Sequence, residues 1–89
     1  MAATQSPVDE RIVQLTGEFD APAFCRVRDL FSSAADEARL VLDFHDVRWC
    51  HPFALAELFD LVGHSGGRLR TRALSRQQEI LLGYLGVRH

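Results

Sequence analysis

The chain has 89 residues and a formal net charge of −2, and 47% of its residues are hydrophobic. This length predicts one small domain, and this apolar content predicts that the domain folds. The net negative charge argues against the concentrated basic surface that neutralises phosphate groups, so we expect no nucleic-acid partner.

Membrane and export signals are also missing from the sequence. No apolar run approaches the ~20 residues of a membrane span, and the polar start of the chain lacks the charged-then-apolar layout of an export signal. We therefore expect a cytoplasmic protein without membrane insertion. The polar composition of residues 1–9 predicts a flexible tail, and residues 10–89 are then the single domain.

The first predicted elements are a strand over residues 11–18 and a helix that ends near residue 34. Asp20 is suited to cap the start of the helix. Pro22 is suited to its first turn, because proline has no N–H group to lose there. Apolar residues at helical spacing predict the buried stripe of this helix: Phe24, Val27, Phe31 and Ala34.

A second strand and helix follow. Leu40, Leu42 and Phe44 recur at every second position, which predicts the central strand over residues 39–44. Residues 45–50 could supply a short fourth strand. Pro52 predicts the start of a helix that reaches about residue 63. Its predicted buried stripe consists of Leu55, Leu58, Phe59 and Val62.

The last predicted elements are a strand over residues 68–73 and a helix that ends near Gly86. Ser75 and Gln78 have the spacing of a capping box, which predicts where that helix begins. We expect it to bury Ile80, Leu81, Tyr84 and Leu85. Strands that alternate with helices along the chain predict an α/β domain.

Three motifs resemble the STAS family, the domains of sulfate transporters and anti-sigma factor antagonists. Residues 41–43, Val-Leu-Asp, are similar to the family's apolar strand that ends in Asp. Residues 15–20, Leu-Thr-Gly-Glu-Phe-Asp, are similar to its Leu-Ser-Gly-Glu-Leu-Asp motif, and residues 85–87, Leu-Gly-Val, to the end of its last helix. The resemblance spans residues 11–87. It implies a small mixed sheet of about four strands with three helices packed mainly on one face.

The chain departs from the family at the start of the second predicted helix. His51, Pro52, Phe53 and Ala54 occupy the positions of the family's Asp-Ser-Ser-Gly, so Pro52 and Phe53 stand where relatives carry a phosphorylatable serine. The resemblance implies a non-catalytic regulatory domain that binds a kinase-like anti-sigma factor through residues 49–57, without a phosphorylation switch there. The expected contact residues are Trp49, His51, Pro52, Phe53, Ala54 and Glu57.

Two aromatic residues in this segment leave alternatives open. On a helical wheel of 100° per residue, Phe53 lies roughly 160° from Leu55, on the side of Glu57. Phe53 is therefore either an exposed binding anchor or a side chain tucked under a neighbouring loop. Trp49 could join the same exposed patch, but the resemblance favours a core tryptophan beneath the loop.

Other functions need residues that the sequence does not bring together. His45, Cys50 and His51 lie close in the chain, but their spacing does not favour a zinc site or a thiolate–imidazole pair, so we expect no metal, no cofactor and no catalysis. The alternation of Arg68, Arg70 and Arg72 predicts a positively charged face on the last strand, best explained as protection of a sheet edge.

Three alternatives stay open for the function. The chain could be an accessory subunit of a bacterial phospholipid-transport ABC ATPase, a module that senses a small ligand near His45 and His51, or a protein that associates with itself.

Overall fold

A computed structural model describes residues 10–86, and the predicted tail of residues 1–9 and Val87 lie outside this range. The elements in chain order are β1 (Glu10–Phe19), α1 (Ala21–Ser33), β2 (Arg39–Cys50), α2 (Pro52–Gly63), β3 (Leu69–Arg72) and α3 (Arg76–Tyr84). The strands form one sheet in the order β1-β2-β3, and both neighbouring pairs are parallel. No helix in the described range is both long enough and apolar enough to cross a membrane.

The sheet differs from the predicted one in strand number and direction. It has three strands, all parallel, rather than a mixed set of about four. Residues 45–50 do not form a separate strand, because β2 continues through them as far as Cys50. Two irregularities in the pairing with β1, between Gln14 and Thr16 and between Gly17 and Glu18, let the long strands stay paired to their ends. The α/β class is confirmed, and the mixed four-stranded sheet is wrong.

The core lies on one face of the sheet. Leu40, Leu42 and Phe44 project from β2 to this face and are at most 2% exposed. The helices complete the core with Phe24, Val27, Leu55, Leu58, Phe59 and Leu82. Full burial of one such side chain contributes ~1.5–3 kcal/mol, so this face supplies most of the favourable energy. The opposite face carries exposed side chains, among them Ile12 and Arg70.

α3 begins as predicted but buries different residues. The Ser75 hydroxyl accepts from the Gln78 N–H at 3.1 Å, and the Gln78 side chain accepts from the Ser75 N–H at 2.8 Å. This capping box turns Gln78 inward, so the buried positions are Gln78 and Leu82. Ile80 and Tyr84 are 50% and 87% exposed, and their predicted burial is wrong.

Gln78 also hydrogen-bonds to β2 beyond the segment of β2 that pairs with β3. β3 pairs only with residues 40–43 of β2. Further along β2, the Gln78 side-chain amide donates to the Val47 carbonyl at 3.3 Å. One buried side chain therefore caps a helix and pairs a strand carbonyl at the same time.

The three arginines of the predicted charged strand face have different surroundings. Arg68 precedes β3 and donates to the carbonyls of Ala38 and Ala35, at 3.3 and 3.0 Å. Its guanidinium also lies 4.6 Å from the centroid of the Phe31 ring. Arg72 donates to the Asp43 carboxylate at 3.1 Å. These contacts tie β3 to its neighbours, whereas Arg70 projects from the exposed face of the sheet.

Replacing Gln78 tests the double role of this side chain. Gln78→Leu keeps the size and apolar stem but removes the partners of the Ser75 N–H and the Val47 carbonyl. We expect a loss of about 1–3 kcal/mol in the free energy of unfolding, measured by urea denaturation. The matched control is Gln77→Leu, because Gln77 is exposed. Equal stability of the two variants would contradict the role given to Gln78.

Asp43 predicts a pH dependence of stability. A hydrogen bond from the His45 N–H, followed by one from Arg72, lowers the pKa of Asp43 below its ordinary value of 3.8. The folded-state pKa is the lower one, so this contribution to stability is present above the ordinary value and is lost as pH falls through the folded-state pKa. Urea denaturation should therefore show a stability gap between wild type and Asp43→Asn at pH 7 that narrows below pH ~4. Asp36→Asn, in the exposed turn before β2, is the control. A gap that stays constant with pH would refute the contribution.

Candidate functional site

The carboxyl ends of β1 and β2 meet at the candidate site. Phe19 and Cys50 end the two strands as register partners, and both are buried. The His51 N–H then donates to the Phe19 carbonyl at 2.8 Å. α1 and α2 begin directly after these strand ends, so both start at the same edge of the sheet. In open α/β sheets, ligands bind outside the carboxyl ends of the strands.

An aromatic row, formed by Trp49, His51 and Phe53, crosses this edge. The ring centroids of Trp49 and His51 are 5.8 Å apart in an edge-to-face arrangement, and those of His51 and Phe53 are 5.9 Å apart. Trp49 is 50% exposed and Phe53 is 72% exposed. Large aromatic side chains with this exposure are candidates for a contact surface, because they bury much area at low entropic cost.

His51 fixes the start of α2 as well as the centre of the row. It is the N-cap residue, and its Nδ1 accepts from the Phe53 N–H at 3.3 Å. An accepting Nδ1 requires the neutral ring with its proton on Nε2. The His51 carbonyl accepts from the Leu55 N–H at 3.0 Å, and Pro52 occupies the first helical position. The row is therefore held by the same contacts that begin the helix.

The predicted contact residues differ in their exposure to solvent. His51, Phe53 and Glu57 are exposed, and Pro52 is partly exposed. Ala54 is only 2% exposed and packs in the core, so we remove it from the candidate surface. The interpretation of Trp49 as a core residue is wrong, because β2 continues past Phe44 and the Trp49 indole, one residue before the buried Cys50, is half exposed.

Residues of the Gly-Glu-x-Asp motif support this edge from the side of β1. Gly17 adopts a φ of +72°, a left-handed conformation that favours glycine, at the irregular pairing. Asp20 caps α1 by accepting from the Ala23 N–H at 3.1 Å, as predicted. Glu18 is the register partner of Trp49. This pairing of Glu18 with Trp49 could not be predicted from the sequence, because it depends on the irregular register.

The histidines and cysteines have separate surroundings. Burial raises the pKa of Cys50 to about 11, against a hydrogen bond with Gln78 that lowers it. A thiol with a raised pKa is a poor nucleophile at neutral pH. His45 Nδ1 lies 3.1 Å from the Asp46 carboxylate. Within residues 10–86, no three His, Cys, Asp or Glu side chains are grouped so that they could hold a metal ion.

Comparison with known proteins gives this site no assignment. No protein-family model matches the sequence, and no curated protein was found to match it. The resemblance to STAS domains is therefore carried by the sequence motifs alone.

The exposure of Phe53 predicts that its removal leaves the fold intact. Phe53→Ala should change the free energy of unfolding by no more than ~0.5 kcal/mol, as is typical of surface substitutions. Phe59 lies on the same helix but is 6% exposed, so the control Phe59→Ala should cost about 3–5 kcal/mol. Urea denaturation of both variants measures the contrast. A large loss for Phe53→Ala would show that this side chain belongs to the core.

Proposed function

We propose that the chain is a non-catalytic regulatory domain of the STAS type that binds a partner protein through the aromatic row and the first turns of α2. The observation that carries the proposal is the exposure of two aromatic side chains at the edge where β1 and β2 end: Trp49 is 50% exposed and Phe53 is 72% exposed. Buried tryptophan and other aromatic anchors dominate the binding energy of protein interfaces.

The rigidity of the site supports a binding role. His51 is held by hydrogen bonds at its N–H, its carbonyl and its Nδ1. Trp49 belongs to a paired strand and Phe53 to the first turn of a helix. A surface that is already ordered loses little conformational entropy when a partner binds.

The chemistry of the segment supports a contact that phosphate does not switch. Residues 49–57 contain no hydroxyl side chain, so a kinase that acts on serine, threonine or tyrosine has nothing to phosphorylate there. In a domain with serine at this place, added phosphate would put about two negative charges in the interface and repel the partner. This chain instead presents an apolar ring, so we propose constitutive binding in the cytoplasm.

The partner that the resemblance favours is a kinase-like anti-sigma factor. The ATPase of a phospholipid-transport ABC system is the second candidate within the family. Both candidates would bind the same surface of this domain, so one experiment that identifies the bound protein distinguishes between them.

Photo-crosslinking from position 53 tests this function. Phe53 is replaced by the photo-reactive amino acid p-benzoylphenylalanine in cells that make the protein, and crosslinked products are identified by mass spectrometry. Tyr84 is the matched control position, because it is an aromatic residue that is 87% exposed on α3. We expect one protein crosslinked from position 53 and not from position 84, and Trp49→Ala should reduce its yield. The same products from both positions, or none from position 53, would refute the proposed surface.

A further inference from the structure

A groove between α1 and α2 extends the surface of Phe53 along the molecule. Its lining residues are Phe24, Ala56, Glu57, Asp60, Leu61 and His64. Phe24, 8% exposed, belongs to the core, and Leu61 packs against the core. The groove therefore has an apolar floor on the face of the domain that the helices form.

The stripe of α2 that borders the groove begins at Phe53. Glu57, Asp60, Leu61 and His64 follow Phe53 at intervals that place all of them on one side of a helix. At 1.5 Å per residue, the distance from Phe53 to His64 is about 16 Å, or roughly three helical turns. The aromatic row and the groove thus form one continuous surface.

The two walls of the groove differ in charge. The α2 wall carries the carboxylates of Glu57 and Asp60, and the Asp60 side chain is 78% exposed. On the α1 side, the lining residue Phe24 has the guanidinium of Arg28 6.0 Å from the centroid of its ring. Arg28 Nε is also 3.7 Å from the Asp29 carboxylate, and half of its side chain is exposed. A partner that fits both walls must be basic on the side next to α2.

We propose that this groove binds an α-helical segment of the partner, apolar on one face and basic along the edge that lies beside α2. The proposal rests on the proposed function and adds the chemistry of its partner. A helix fits better than a strand, because both walls are helices, whose backbone groups are already hydrogen-bonded and cannot pair with a strand. Anchors at intervals of three and four residues would contact Phe53 at one end and Leu61 at the other.

The test uses a peptide of defined chemistry as the probe. A fluorescein-labelled 18-residue amphipathic peptide made of leucine, alanine and lysine is titrated with the full chain, and binding is followed by fluorescence anisotropy. The comparison peptides are one of the same composition in scrambled order and one with glutamate in place of lysine. We expect the lysine peptide to bind most tightly, and its affinity to fall as salt increases from 0.05 to 0.5 M.

Charge variants locate the peptide on the surface. The double variant Glu57→Arg/Asp60→Arg should weaken binding by about tenfold or more, because both attractions become repulsions. Arg28→Glu should strengthen binding by about threefold, because it replaces a positive charge beside the groove with a negative one. The matched controls lie on β1 and β3: Glu10→Arg for the acidic pair and Arg70→Glu for Arg28, both at exposed positions. They should change the affinity by less than about twofold if the effect is local rather than one of net charge.

Several outcomes would overturn the proposal. Equal binding of the scrambled peptide, or equal losses in Glu10→Arg and in the double variant, would show attraction to net charge without a groove. Association of the chain with itself that the double variant abolishes, measured by light scattering after size exclusion, would assign the groove to a second copy. Thermal melts confirm that each variant is folded.

The failure of this inference is distinguishable from failure of the proposed function. If position 53 still crosslinks its partner in the double variant with unchanged yield, the groove proposal fails and the aromatic row remains the contact surface. If position 53 captures no partner at all, the proposed function fails, whatever the peptide does.

Discussion

The shared ending of β1 and β2 is the constraint on which the rest of the structure depends. The register pairs Phe19 with Cys50, and the hydrogen bond from the His51 N–H to the Phe19 carbonyl follows directly. These contacts stop both strands at one level and send the chain into two helices from the same edge. The aromatic row, the cap of α2 and the groove between α1 and α2 all take their positions from that edge.

The helices were predictable from the sequence because their signals are local. Asp20, Pro52 and the Ser75–Gln78 box each act within one turn, and the stripes of α1 and α2 follow from helical spacing. The sheet was less predictable, because the continuation of β2 depends on pairing with β1 through two irregularities that leave no clear pattern in the sequence. The burial of α3 was misjudged for a related reason. The capping box is local, but the Val47 carbonyl that accepts from the buried Gln78 amide lies 31 residues away in the chain.

The location of the candidate site could be predicted from the sequence, but the burial of its individual side chains could not. The switch from strand to helix at Pro52 marked the segment, and the helical wheel placed Phe53 on the side of Glu57 and Asp60. Exposure could not be deduced in the same way, because the ends of elements are shaped by neighbours distant in sequence. Trp49 shows this, since the resemblance favoured a core tryptophan and the indole is half exposed, beside the irregular pairing around Glu18. Ala54 shows the converse, a residue within the predicted segment that the first turn of α2 directs into the core.

The all-parallel sheet has a consequence for how the chain reaches its fold. Parallel neighbours cannot be joined by a tight hairpin, so each strand meets its partner only after a helix has intervened. Arg72 and Asp43, which connect β3 to β2, are 29 residues apart, and the Arg68 bond to Ala35 spans 33. No early hairpin can serve as a nucleus among the described strands, and loop closure must precede every sheet contact. The helices, whose caps are local, can form fleetingly before the sheet does, and the aromatic row is assembled only when the ends of β1 and β2 finally meet.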